Sequence, residues 1–356
     1  MSHQSSIVPI PHKAGNRQPS IGADEFKSIL KKFSQLKILV IGDVMLDAYV
    51  WGTAERISPE APVPVVDVEK MEERLGGAAN VAMNVNALGA TPVLCSLIGH
   101  DYAGEKVLGI LKSHQMKTDG IIQLAGRITG IKTRVLSKSH HLLRFDMEST
   151  SDLDKEEEQQ FLKILKTLIA KEKPHAVILE DYNKGVLTEN IINSVIKLCR
   201  DKKILTAVDP KKKNFFAYKN ADIFKPNLRE VREAFNHEMN VSTESSLQQV
   251  HAQLKKKIQH KITLITLGDH GIFYSDGKQS GIIPAYKRDI SDVSGAGDTV
   301  IAVATLAIAG GMKLNDAASI ANLAGGMVCE YAGVIPVTKE MLSKEIELTN
   351  NQMNEQ

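Results

Sequence analysis

Residues Val300-Ile301-Ala302-Val303-Ala304-Thr305-Leu306-Ala307-Ile308-Ala309 are apolar almost all the way round a helical turn. A helix with no polar face has to sit inside a protein, covered on every side. Gly310-Gly311 ends it. The segment that runs into it is Asp292-Val293-Ser294-Gly295-Ala296-Gly297-Asp298-Thr299. Gly295 and Gly297 have no Cβ, so the backbone can turn tightly there and approach a ligand. The free N–H groups of this loop lie at a helix N-terminus, which is a ready anion site. Asp298 is out of place in such a cradle, because a carboxylate repels a phosphate. It makes sense as a base that takes the proton from a hydroxyl attacking that phosphate. The plain alternative is a helix cap.

Two other glycine motifs fail. Gly-Ala-Gly echoes a dinucleotide fingerprint, but Val300 replaces the third Gly and no strand-like run leads directly in. Gly126-Arg127-Ile128-Thr129-Gly130-Ile131-Lys132-Thr133 has the wrong spacing for a Walker A loop.

The rest of the chain has to cover the buried helix. With 356 residues, 43% of them hydrophobic, it is long enough for one large or two modest domains. Lys and Arg number 44 against 42 Asp and Glu, so no basic field points to nucleic acid. Cys95, Cys199 and Cys329 lie far apart in apolar runs, as buried thiols of a reducing compartment would. No apolar run reaches membrane-spanning length, and the N-terminus lacks a signal-peptide core. The expectation is a cytoplasmic protein with no membrane insertion.

Along the chain, residues 1–22 carry Pro9, Pro11 and Pro19 among polar residues and read as a disordered tail. A helical period follows from Asp24, a possible cap, to Leu36, and then Lys37–Asp43 reads as a buried strand ending in Gly and an acid. That is where open α/β sheets bind ligands. Residues 51–75 hold Pro59, Pro62 and Pro64 and leave the central sheet. Residues 76–89 return to helix, 93–98 to strand and 103–114 to helix. Residues 120–146 alternate and are half polar, so the two excursions form one small sheet. Beyond them, strands at 176–179, 204–209, 223–225 and 263–267 alternate with helices at 188–201, 228–235 and 246–259. Such alternation gives a mostly parallel sheet covered by helices. The folded domain is taken as 23–345, with a frayed tail over 346–356.

Several short motifs sit on this frame. Gly76-Gly77-Ala78-Ala79-Asn80 opens a helix and is either a Gly-rich turn or a close backbone approach with Asn80 on a ligand hydroxyl. Asn227-Leu228-Arg229-Glu230 follows Pro226 and reads alone as a cap with an acidic first turn. Thr266-Leu267-Gly268-Asp269-His270-Gly271 ends a strand with two glycines. Asp43 is a turn residue or a ligand contact, and Asp292 could cap its loop.

Together these pieces resemble the ribokinase/PfkB family of carbohydrate kinases over about residues 37–340. The stretch 292–299 matches the family's second signature, Gly76–Asn80 its first, and Asn227–Glu230 its Asn-x-x-Glu motif. The resemblance implies an α/β fold: a ribokinase-like three-layer sandwich with a mostly parallel central sheet and a small β-sheet lid. It implies Asp298 as catalytic base, with Gly295, Ala296 and Gly297 as an anion hole. Asp43, Asp47, Gly76, Gly77 and Asn80 would bind the sugar. Asn227, Glu230, Thr266, Gly268, Gly271 and Asn322 would bind ATP. Glu230 would reach Mg²⁺, in keeping with magnesium's habit of retaining waters, through a water, and Asp292 would help hold a monovalent cation such as K⁺.

Arg56-Ile57-Ser58-Pro59-Glu60-Ala61-Pro62-Val63-Pro64-Val65-Val66, Asp181-Tyr182-Asn183-Lys184-Gly185 and Asp209-Pro210-Lys211 resemble the bacterial heptose-7-phosphate kinases within that family. Lys212 stands where a Gly is expected after the last. This subgroup implies ATP-dependent phosphorylation of D-glycero-β-D-manno-heptose 7-phosphate at its anomeric hydroxyl, toward lipopolysaccharide core heptose. A phosphorylated acceptor needs cations, and Arg56, Lys132, Arg134, Lys184 and Lys211 are the candidates. Members of the subgroup often carry an adenylyltransferase with a His-x-Gly-His motif. This chain has none, so it reads as the stand-alone kinase. Exposed lid edges invite pairing, so a homodimer is expected. The alternatives are another PfkB sugar, sugar-phosphate or nucleoside kinase, and a sugar-responsive regulator with a dead kinase fold.

Overall fold

The computed structural model describes residues 22–137, 140–236 and 243–354. The sequence lays down α1 (Ala23–Phe33), β1 (Lys37–Gly42), β2 (Val44–Ile57), β3 (Pro64–Gly77), α2 (Ala78–Ala87), β4 (Thr91–Gly99) and α3 (Tyr102–Ser113). Then come β5 (Ile121–Leu124), β6 (Gly130–Ser137), β7 (His140–Met147), α4 (Lys155–Glu172), β8 (Ala176–Glu180), α5 (Glu189–Asp201), β9 (Leu205–Asp209) and β10 (Ile223–Phe224). The last part holds α6 (Leu228–Ala234), α7 (Glu244–Ile258), β11 (Ile262–Thr266), β12 (Ile272–Ser275), β13 (Ser280–Ile283), α8 (Ala296–Ala309), α9 (Leu314–Val328) and α10 (Lys339–Asn354).

Nine strands form the main sheet in the order β13-β12-β11-β10-β9-β8-β1-β4-β5. From β10–β11 through β4–β5 the pairs are parallel, while β12 and β13 run antiparallel at one edge. Parallel strands covered on both faces read as continuous apolar runs, and β1 shows why. Ile38 and Val40 enter a core shared with α1, α2, α3, α8, α9 and α10, whereas Leu39 and Ile41 enter a second core under α4, α5, α6 and α7. Two cores back to back on one sheet make three layers. The all-apolar α8 is buried from Thr299 to Ala307, as its sequence demands.

A separate four-stranded sheet, β3-β2-β6-β7, stands off the main body. It begins earlier than residue 51, because β2 follows directly on β1 and Leu46 is fully buried. Residues 121–124, expected in this lid, instead pair in parallel with β4 at the edge of the main sheet. Ile121 packs on one core and Ile122 and Leu124 on the other, so the main sheet covers both faces of that short strand. The expected fraying from 346 is also corrected. Helix α10 runs to Asn354 and buries Ile346 against the first core. Helix α1 starts from Gly22 rather than from an Asp24 cap. The tail over residues 1–21 lies outside the described residues. Among the described residues no helix is long and apolar enough to cross a membrane.

Candidate active site

Strands β1, β8, β9, β10 and β11 all end on one side of the sheet, and the polar residues gather there. Gly295 caps α8 with φ 77°, and a Cβ on it would come within 2.8 Å of Asn80 Nδ2. Only a glycine lets the starts of α8 and α2 come so close. The first-signature and second-signature helices therefore meet end to end. Asn80 Nδ2 donates to Asp298 Oδ2 at 2.8 Å, and the Tyr182 hydroxyl donates to Asp298 Oδ1 at 2.7 Å. Asp298 is only 3% exposed and does not cap its helix. Burial pushes its carboxyl up to about 6, while the Asn80 and Tyr182 donors and Lys225 oppose the rise.

Three carboxylates crowd this spot. One oxygen each of Glu180, Asp209 and Asp298 lies within 4.8 Å of the others. Lys225 Nζ pairs with Asp209 Oδ2 at 2.8 Å. Glu180 is fully buried, and neither of its carboxyl oxygens has a hydrogen-bond partner among the described residues. Burial, then Asp209 and Asp298, push its carboxyl well above the usual range. Sequence reasoning gave no role to Glu180, Tyr182, Asp209 or Lys225. Tyr182 and Asp209 stood within the motifs 181–185 and 209–211, whereas Glu180 and Lys225 were visible only as polar residues at strand ends.

On the lid side, Gly76 leaves room for Asp47, whose Oδ1 pairs with Arg134 in a buried ion pair. The Arg134 guanidinium and that of Arg74 lie 5.3 and 5.1 Å from the Tyr49 ring centroid. Gly77 takes φ 60°, and its neighbour Ala78 donates its amide to the Asp43 carbonyl. The Asp43 carboxylate is engaged by backbone amides. It accepts the amides of Tyr182, Lys184 and Val186 at 2.8, 3.0 and 3.1 Å, which makes it the anchor of the turn after β8. Lys132 pairs with Asp146 at 3.1 Å and Glu148 at 3.2 Å, and Lys184 also pairs with Glu148. Arg127, which the sequence reading passed over, donates to the Lys184 carbonyl. A small cleft there is lined by Asp43, Arg127, Thr129, Glu148 and Lys184. Arg56 is not among these residues. It sits at the outer end of the lid, with a side chain 66% exposed and paired to Asp67. Lys211 turns the other way and pairs with Glu230.

On the far side of α8's start is a cavity of about 850 Å³ lined by Asn227, Thr266, Gly268, Gly271 and Asn322 together with Ala296 and Gly297. Gly271 takes φ 92° and its carbonyl accepts the Leu267 amide, folding residues 267–271 into a tight turn. Asn322 Nδ2 donates to the Pro284 carbonyl at 2.9 Å and so holds one wall. Tyr286 and Arg288 line the same cavity and went unnoticed in the sequence. Asn227 and Glu230 form a full capping box, with 2.8 Å bonds in both directions. Both Asp292 oxygens staple the loop, Oδ1 to the Ser294 amide and hydroxyl and Oδ2 to the Gly333 amide. The arrangement sets a glycine-rich helix start and a buried carboxylate beside the larger cavity.

Residues 35–341 match the model of the pfkB family of carbohydrate kinases. The chain belongs to that family and is an ATP-dependent sugar kinase with a ribokinase-like fold. Within it, the chain is 39% identical over 310 residues to the bifunctional protein HldE of Sulfurimonas denitrificans, covering 87% of this chain and 64% of that one. It is 38% identical over 301 residues to the HldE of Aliarcobacter butzleri, covering 85% and 62%. The chain thus spans just under two thirds of the length of these relatives. Among solved structures it is similar to phosphofructokinase-2 from Escherichia coli in complex with substrates and products, with TM-score 0.72 and 16% identity over 88% of this chain and 99% of that one. It is also similar to Arabidopsis thaliana ribokinase complexed with ribose and ATP, with TM-score 0.69, 17% identity and the same coverage. At those identities the likeness concerns the fold.

Proposed function

We propose that this chain transfers the γ-phosphate of ATP to the anomeric hydroxyl of D-glycero-β-D-manno-heptose 7-phosphate, giving the 1,7-bisphosphate for lipopolysaccharide core heptose. The observation that carries the transfer is the place of Asp298. It is a buried carboxylate fixed by two donors, beside the cradle whose Ala296 and Gly297 also line the larger cavity. The similarity to HldE proteins, with the motifs shared with heptose-7-phosphate kinases, supports the acceptor.

In this reading ATP occupies the cavity bounded by Asn227, Thr266, Gly268, Gly271 and Asn322. Asp298 takes the proton of the acceptor hydroxyl as its oxygen attacks the γ-phosphorus, and ADP leaves. The amides of residues 295–297 at the start of α8 hold the charge on the transferring group. When bound, Mg²⁺ would supply charge neutralisation on the triphosphate. Glu230 suits an ion reached through water, since one oxygen is held by its own cap amide and the other by Lys211. Asp292 places a negative charge beside the loop, where potassium would act.

Asp47 and Asn80 hold the sugar end, with Asp47 paired to Arg134. The acceptor's own phosphate goes to Lys132 and Lys184, beside Arg127, where it takes over the partner role that Glu148 now fills. The lid also carries the proposed homodimer. Leu143, Phe145 and Met147 alternate on β7 and are 58%, 54% and 51% exposed, an apolar strip on the edge of a sheet. The test of the substrate is a rate comparison between heptose 7-phosphate and unphosphorylated heptose, ribose and fructose. Comparable kcat/KM across phosphorylated and free sugars would reject the acceptor and leave the family assignment standing.

A further inference from the structure

The turn Asp181-Tyr182-Asn183-Lys184-Gly185 has so far served only as an anchor for Lys184. It is held from several directions at once. Asp43 accepts two of its amides and that of Val186 just after it, and Asp181 accepts the Asn183 amide and the Tyr218 hydroxyl, both at 2.7 Å. Asn183 takes φ 56°, and Gly185 takes φ 92° where a Cβ would strike the Ser151 carbonyl. Backbone so over-determined marks a segment that must deliver a side chain to a fixed place. The side chain it delivers is Tyr182. Its hydroxyl meets Asp298 Oδ1 at 2.7 Å, and Lys211 Nζ lies 5.3 Å from its ring centroid.

We propose that Tyr182 is a positioning residue for phosphoryl transfer: its hydroxyl, opposite Asn80, holds the Asp298 carboxylate in one orientation and stabilises its negative charge. The proposal rests on the reading of Asp298 as the base. A phenol–carboxylate hydrogen bond out of water is stronger than a neutral one. Burial and the Asp298 charge push the Tyr182 phenol well above its ordinary value, so it donates and does not itself titrate. During the transfer the acceptor O–H bond breaks and an Asp298 O–H bond forms. The acceptor oxygen bonds to the γ-phosphorus as the bond to the ADP oxygen breaks, and Tyr182 keeps its proton throughout.

The other groups facing Asp298 are Asn80 from α2, Glu180 from β8, Asp209 from β9 and Lys225 after β10. None of them changes when the phenol oxygen is removed. Tyr182→Phe deletes that oxygen alone and keeps the ring under Lys211. The variant is expected to melt with the wild type and to keep its KM for ATP. The acidic limb of its pH profile should move up by about one pH unit, so its kcat should fall about tenfold at pH 5 but only about twofold at pH 7. The deficit should therefore close above about pH 8, a signature that a merely packed tyrosine would not give. Asp298→Asn is measured alongside. If Asp298→Asn is inactive while Tyr182→Phe keeps the wild-type kcat and pH profile, the Tyr182 role falls and the base stands. If Asp298→Asn keeps its rate, the base reading falls first. A Tyr182→Phe enzyme with a lower KM for the sugar and an unmoved pH profile would show that the tyrosine only blocks the empty site, and would equally overturn the proposal.

Discussion

A carboxyl group in water loses its proton near pH 4, and Asp298 does not. Burial holds its value at about 6. The ionised base is therefore present above about pH 6 and lost as pH falls through it, so kcat/KM should drop tenfold per unit below that point when one group controls the rate. A flat profile from pH 7 down to 5 would argue against Asp298. Asp298→Asn should bind ATP and sugar yet lose about 10²–10⁴-fold in kcat, measured under saturating substrates. Glu230→Gln keeps the capping box, because Gln also accepts the Asn227 amide, but removes the charge opposite Lys211. The Mg²⁺ concentration for half-maximal rate should rise while the melting temperature barely moves. A stability loss with unchanged Mg²⁺ dependence would restore the plain cap. At this scale much was legible beforehand. Gly295, Asp298 and Asn80 announce themselves because glycines and polar groups are costly at the mouth of an apolar helix. The amides that Asp43 accepts lie more than 130 residues away in sequence, a bonding role its reading as a turn residue or ligand contact did not include. No local pattern encodes such a partner.

The elements divide along the same line. Strands β1, β8, β9 and β11 and helix α8 were visible as apolar runs of the right length, because a parallel sheet hides both faces of its strands. The lid strands were visible as alternation, but alternation does not say which face looks inward. The structure puts Asp47, Tyr49, Lys132 and Arg134 at matching positions of β2 and β6. It leaves Leu143, Phe145 and Met147 exposed. In the proposed reading the polar face serves the site and the apolar strip receives a second copy. Phe145→Asp should turn a dimer in light scattering into a monomer. A dimer that survives this change would place the interface elsewhere. Lys132→Ala should raise KM for the sugar phosphate about tenfold, the scale of a lost charge-assisted hydrogen bond, with KM for ATP unmoved. An effect on ATP instead would assign Lys132 to the nucleotide side. Arg56 looked equivalent to Lys132 in sequence. It lies on the outer part of the hairpin, which only the strand register reveals.

At the scale of the whole molecule, the two cores place one layer of helices on each face of the main sheet. The second layer holds a buried pair, His251 and His260, both bonded to Thr263. Burial lowers His260 to about 3, with His251 adding to the effect. A histidine neutral in the fold and free to charge when unfolded contributes stability above about pH 6.5 that is lost as pH falls toward 3. The melting temperature should therefore decline between pH 6.5 and 4, and His260→Gln should flatten that slope; an unchanged slope would remove His260 from the account.

The central claim is that this chain phosphorylates a sugar that already carries a phosphate. The direct measurement is initial-rate ADP release by the purified protein with ATP, Mg²⁺ and, in turn, heptose 7-phosphate, heptose, ribose and fructose, with the heptose product located by phosphorus NMR. The account predicts a kcat/KM for heptose 7-phosphate at least about a hundredfold above the free sugars, the worth of two charge-assisted contacts, and a new phosphate on the anomeric carbon. Equal rates with phosphorylated and free sugars, or a phosphate added at another carbon, would contradict it.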